Sequence, residues 1–108
     1  MRNCVIILGL ASLLMIAGAV VLVAELPKPN YKPKDGYVPD EKTAIAIAVA
    51  VWNPIYGEKQ IASEKPYHAT LTGGVWVVVG SLPKGVGGTA IAEISKDNGC
   101  ILRVIHEQ

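Results

Sequence analysis

The side chains on which catalysis would draw are His68, His106, Glu64, Glu93, Asp97 and Cys100. An enzyme needs a nucleophile, a base or two carboxylates brought together, and the pattern around these residues does not announce such a meeting. His68 falls in the middle of an alternating stretch beside Thr70, where a solvated or cross-strand histidine is expected. His106 falls near a strand end, where fraying is expected. Cys100 precedes Leu102 and Val104 on a strand that follows a turn, so it reads as a buried thiol behaving as a small hydrophobe. Gly85-Val86-Gly87-Gly88-Thr89 has the glycines of a phosphate loop but not its lysine. A strand pattern follows it where a phosphate loop needs a helix.

The same reasoning removes other classes of chemistry. Cys4 and Cys100 are the only two cysteines, too few for a disulfide-stapled miniprotein or for a structural zinc site with four close ligands. The formal net charge is +1, which provides no basic field for nucleic acid. Trp52, Trp76, Tyr56 and Tyr67 could form a stacking platform, but packing between helix and sheet explains Trp52 and Tyr56 more simply. The expectation is a binding protein rather than an enzyme, with no catalytic residues, no metal, no cofactor, no nucleic acid and no small-molecule substrate. For a protein partner, the glycine-rich connection Pro83–Gly88 is the first candidate contact. Lys84 must be exposed there, and Gly85 and Gly87 let backbone groups come close. His68 and Thr70, on the polar face of their strand, are the second.

These residues need elements to hold them. Of the 108 residues, 51% are hydrophobic and 18% charged, more apolar than a small soluble domain requires. The excess sits at Cys4–Ala24, which carries no charge. Twenty-one residues at ~1.5 Å each give about 31 Å of helix, enough to cross a bilayer core. Two readings fit residues 1–24. One is a secretory signal with Ala17-Gly18-Ala19 as its small-residue cleavage site. The other is a signal anchor, with the membrane as a partner through residues 4–24. Either layout favours a domain on the extracytoplasmic, periplasmic side. Lys28, Lys32 and Lys34 pull toward the alternative, an inner-membrane protein with a cytoplasmic domain.

Glu25–Pro39 holds four of the seven prolines and reads as a semi-stiff spacer, so residues 25–37 are assigned as a linker and 38–108 as the folded domain. Asp40 is a suitable N-cap for a helix over Glu41–Trp52. Ile45, Ala48, Val49 and Trp52 share a face at helical spacing, although Ala44–Val51 also alternates like a strand. Asn53-Pro54 is expected to stop the helix, and Asn53–Gly57 to turn the chain. Strands are expected over Glu64–Thr72, Val75–Leu82, Thr89–Ser95 and Cys100–His106, with hairpin turns at Gly73-Gly74 and Lys96–Gly99. The fold class is α+β, one N-terminal helix packed on a curved four-stranded antiparallel sheet.

The order of these pieces is distinctive. Asp40-Glu41-Lys42-Thr43-Ala44 leads to Trp52-Asn53-Pro54-Ile55-Tyr56-Gly57-Glu58. Glu64-Lys65-Pro66-Tyr67 opens the next element, followed by Val75-Trp76-Val77-Val78-Val79-Gly80 and Leu82-Pro83. Gly87-Gly88, Ala92-Glu93-Ile94 and Lys96-Asp97-Asn98-Gly99-Cys100-Ile101-Leu102 complete the series. The chain from about Pro39 to His106 resembles the bacterial NTF2-fold immunity protein family. The domain is shorter than a full NTF2 cone, so the resemblance implies a short NTF2-like or cystatin-like arrangement. It also implies a toxin-neutralising immunity protein that acts by stoichiometric binding to a bacterial polymorphic toxin, its cognate partner. It supplies no catalytic or binding residues to carry over. A structural or accessory envelope domain without a toxin partner is the alternative.

Overall fold

The structure, a computed structural model, describes residues 31–82 and 87–107. The apolar run 4–24 and its signal or anchor reading lie outside the described residues. Among those described, no helix is long and apolar enough to cross a membrane.

Helix α1 spans Glu41–Tyr56. Asp40 starts it with an extended backbone, and its Oδ1 accepts the Thr43 N–H at 2.8 Å. That satisfies one of the donors a helix start leaves open. The strand-like alternation of the sequence loses to spacing four residues apart, with Ala44, Ala48 and Trp52 fully buried along one stripe. Alanine at the first two of these positions lets the helix lie close to the sheet. Ile45, Ile47 and Val49 pack around the edge of the core.

The helix runs past its expected end at Trp52, with Pro54 inside it. Proline removes the bond to the carbonyl four residues back and crowds it with its ring; here that carbonyl is Ala50's on the exposed face, where it can tilt outward and water can take the lost bond. The actual stop is Gly57, at φ +97°, whose N–H bonds to the Asn53 carbonyl at 2.9 Å. The turn expected over Asn53–Gly57 is therefore mostly helix, and a second short helix, α2, follows at Glu58–Ala62.

The first strand also starts later than expected. Glu64 and Lys65 donate their N–H groups back to Ile61 and Ala62, so the chain is still turning off α2, and Pro66 has no N–H for a ladder. Strand β1 is His68–Thr72, β2 is Val75–Val79, β3 is Ala90–Ser95 and β4 is Ile101–His106. All are antiparallel neighbours in chain order. The Gly73-Gly74 hairpin forms with both residues at positive φ, a conformation in which glycine meets no Cβ penalty. Strand alternation turns Ala69, Trp76, Val78, Ala90, Ala92, Ile94 and Val104 toward α1, and these residues make up the sheet's side of the core. Cys100 is buried beside this core.

Inside the segment read as spacer, Gly36–Val38 strap onto the β3–β4 hairpin. Tyr37 and Val38 donate to the carbonyls of Asp97 and Lys96, each at 3.0 Å. Trp76 Nε1 donates to the Val38 carbonyl at 2.8 Å. A side chain at Gly36 would run into the Lys96 carbonyl. The aromatic residues offered as a stacking platform serve the core instead. Trp52 is fully buried, with its ring 5.8 Å from that of Tyr67.

Candidate functional site

Two features of the fold bring polar chemistry together, one inside the sheet and one on its outer face. The inner one centres on Glu64. The turn after α2 points its side chain into the protein, where it is 1% exposed. Burying a carboxylate is costly unless its oxygens are filled, and here they are. Oε1 accepts the Ala90 N–H at 2.8 Å. Oε2 accepts from Gln60 Nε2 at 2.9 Å and lies 2.8 Å from His106 Nε2. Gly80 is packed so closely that a Cβ there would strike Glu64 Oε1.

Burial pushes the Glu64 carboxyl up, but the Ala90 N–H, the Gln60 amide and the His106 ring outweigh it and hold the group below its ordinary value. Burial, and then the charge of Glu64, raise the Tyr67 phenol, whose hydroxyl donates to the Ile61 carbonyl at 2.8 Å. The His106 ring lies 5.0 Å from that of Tyr56, tilted 56° to it. A carboxylate beside an imidazole makes two of the three members of a catalytic triad, but the ring's remaining nitrogen, Nδ1, faces the Glu107 carbonyl at 3.0 Å instead of a nucleophile. The geometry ties α2, β3 and β4 together.

The outer feature is the sheet face turned away from α1. Registers across the four strands align His68, Val79, Ile91 and Ile105 in one row and Thr70, Val77, Glu93 and Arg103 in the next. Arg103 Nη1 lies 3.2 Å from Glu93 Oε2. The core-forming helix residues pack on the opposite face, so this side presents β-branched residues bordered by histidine, threonine, arginine and glutamate.

The expected contact residues separate accordingly. His68 and Thr70 are exposed on β1, one above the other on the outer face. Gly87 is exposed at φ +80°. Lys84 and Gly85 lie outside the described residues. Glu93 and His68 sit on the outer face while Glu64 and His106 meet inside, so these acids and bases do not form one site. Sequence reasoning missed the Glu64–His106 pair. One signal was available in strand parity, because His106 shares a face with Val104, and a polar ring on a core-facing position needs a partner. Among the described residues, no group of three or more His, Cys, Asp or Glu side chains could hold a metal ion.

Residues 43–108 match the family described as NTF2 fold immunity protein. The chain is 42% identical over 88 residues to a protein of Escherichia coli K12 named "Uncharacterized protein YbbC", covering 80% of this chain and 71% of that one. No solved structure matches.

Proposed function

Because the chain belongs to the NTF2 fold immunity protein family, we propose that it neutralises a bacterial polymorphic toxin by binding it stoichiometrically. The observation that carries this reading is the outer face of the sheet. It combines β-branched rows with His68, Thr70 and Arg103 at accessible positions, the mixture of apolar area and polar border found at protein interfaces. Occupying a toxin needs area and complementarity rather than a reacting group. The connection that includes Lys84, Gly85 and Gly87 is the second contact in this proposal. The uncharged run Cys4–Ala24 is proposed to export or tether the domain so that it meets the toxin on the periplasmic side.

Co-expression with the toxin encoded beside this chain tests the reading. Protection should rise in proportion to the amount of chain made, and purified toxin and chain should associate one to one. Thr70→Arg puts a large charged side chain on an exposed position of the face, so binding should weaken at least about tenfold with an unchanged circular dichroism spectrum. Full protection by that variant at matched expression would clear the outer face of this role. A neighbouring gene that encodes no toxin, together with no measurable complex, would favour a structural envelope domain.

A further inference from the structure

We infer that His106 carries both ring protons in the folded protein and forms a charged latch with Glu64, so that the end of the sheet joining β3 and β4 to α2 is held more tightly while the imidazole is protonated. The two ring nitrogens carry the argument. Nε2 is 2.8 Å from Glu64 Oε2, and Nδ1 is 3.0 Å from the Glu107 carbonyl oxygen. A carbonyl oxygen can only accept. The Glu64 carboxyl already accepts the Ala90 N–H on Oε1 and the Gln60 amide on Oε2, bonds that favour its ionised form, so it too faces the ring as an acceptor. A neutral imidazole has one N–H and would turn a bare nitrogen toward one of these oxygens. The imidazolium donates to both, and its bond to the carboxylate is the charge-assisted kind.

Every group facing this ring is compatible with that charge. Tyr56 on α1 offers its ring, Gln60 and Glu64 approach from α2 and the turn after it, and Glu107 supplies its carbonyl from the end of β4. Tyr67 stands near Glu64, whose charge acts on it. On the β3 and β2 sides the neighbours of the pair are Ala90 and Gly80, which have no titratable side chain. Among the described residues the Glu64 carboxylate is met by Ala90, Gln60 and His106, of which only His106 can carry a charge, so a proton lost from His106 leaves the 1%-exposed carboxylate held by neutral donors.

The consequence reaches beyond one contact because residue 64 is a junction. Its carboxylate holds the Ala90 N–H at the start of β3, and its carbonyl takes the Ser81 N–H at 2.7 Å. Beside it, Glu107 N–H bonds to the Thr89 carbonyl at 3.0 Å. Releasing the latch therefore loosens both flanks of the segment between β2 and β3, together with the end of β4. The sign follows from the protonated form being the one that binds. The added stability is present where histidine is charged and is lost as pH rises.

The test uses the full-length chain labelled with nitrogen-15 in histidine, with no toxin present, so its outcome is separate from that of the function proposed above. At about pH 6 the His106 ring should show two protonated nitrogens, and one proton should leave as the pH is raised. Over about pH 5 to 8, the range in which histidines change charge, the melting temperature of the wild type should fall by about 4–8 °C relative to His106→Gln. The glutamine amide can donate to Glu64 but cannot titrate. His68→Gln, at an exposed strand position, should keep the wild-type profile. A singly protonated His106 at about pH 6, or a His106→Gln profile parallel to the wild type, would overturn the inference. If that variant does not fold, the nitrogen spectrum of the wild type decides alone.

Discussion

The sheet carries two acid–base pairs of opposite character. Glu93 and Arg103 face each other across β3 and β4 on the outer face, with side chains 29% and 54% exposed, and meet at 3.2 Å. Glu64 and His106 meet at 2.8 Å with side chains 1% and 18% exposed. Solvent and salt screen the first pair, and each partner can rehydrate if the other is removed. The second pair has no such refuge. Its carboxylate also holds a backbone N–H and a side-chain amide, so removing it strands three donors at once. The outer pair can be altered to suit a partner at little cost to folding, whereas the inner pair is part of the fold.

Breaking the inner pair should give the largest effect. Glu64→Ala should destabilise the protein by about 3–5 kcal/mol, read as a lower urea midpoint, and a midpoint within error of the wild type would mean that the pair contributes no stability. Gly80→Ala leaves both partners in place but drives a methyl group into Glu64 Oε1 and to within 2.9 Å of its Cβ. A loss of about 1–3 kcal/mol is expected, and the same change in a Glu64→Ala background should cost much less, because the two are coupled.

The acid limb sharpens the contrast further. Glu64 titrates below its ordinary value in the folded chain, so its contribution is present above the unfolded value of about 4.3 and is lost as pH falls through the lower folded one. The stability difference between wild type and Glu64→Gln should therefore shrink on acidification below about pH 4. The smallest effect belongs to the outer pair. Arg103→Ala should change stability by about 0–1 kcal/mol, and that change should fade in high salt, while the effect of Glu64→Ala persists.

Much of the architecture follows from local chemistry, and so it was legible in the residues. Asp40 caps α1 because its carboxylate reaches a backbone N–H three residues on. Gly73-Gly74 and Gly99 make turns because the backbone there needs positive φ. Val75–Val79 is apolar at every position, so its core face was decided by the alternating burial seen in the structure, as was that of Ala90–Ser95, whereas Glu64–Thr72 alternates in the sequence itself. The exposed positions of His68 and Thr70 followed from the same alternation. The end of α1 was not legible, because whether Pro54 stops a helix depends on whether the carbonyl it orphans faces water.

Composition and spacing by themselves determined an α+β domain of one main helix and four antiparallel strands, and the order of its motifs pointed to an immunity family. Only the tertiary structure decided that Glu64 belongs to a helix end rather than a strand, that His106 is held rather than frayed, and that Gly36–Val38 are built into the sheet's edge. The reason is distance along the chain. Glu64 and His106 are 42 residues apart, and Trp76 and Val38 are 38 apart. A buried polar group must find a partner somewhere, but nothing local to either residue says where.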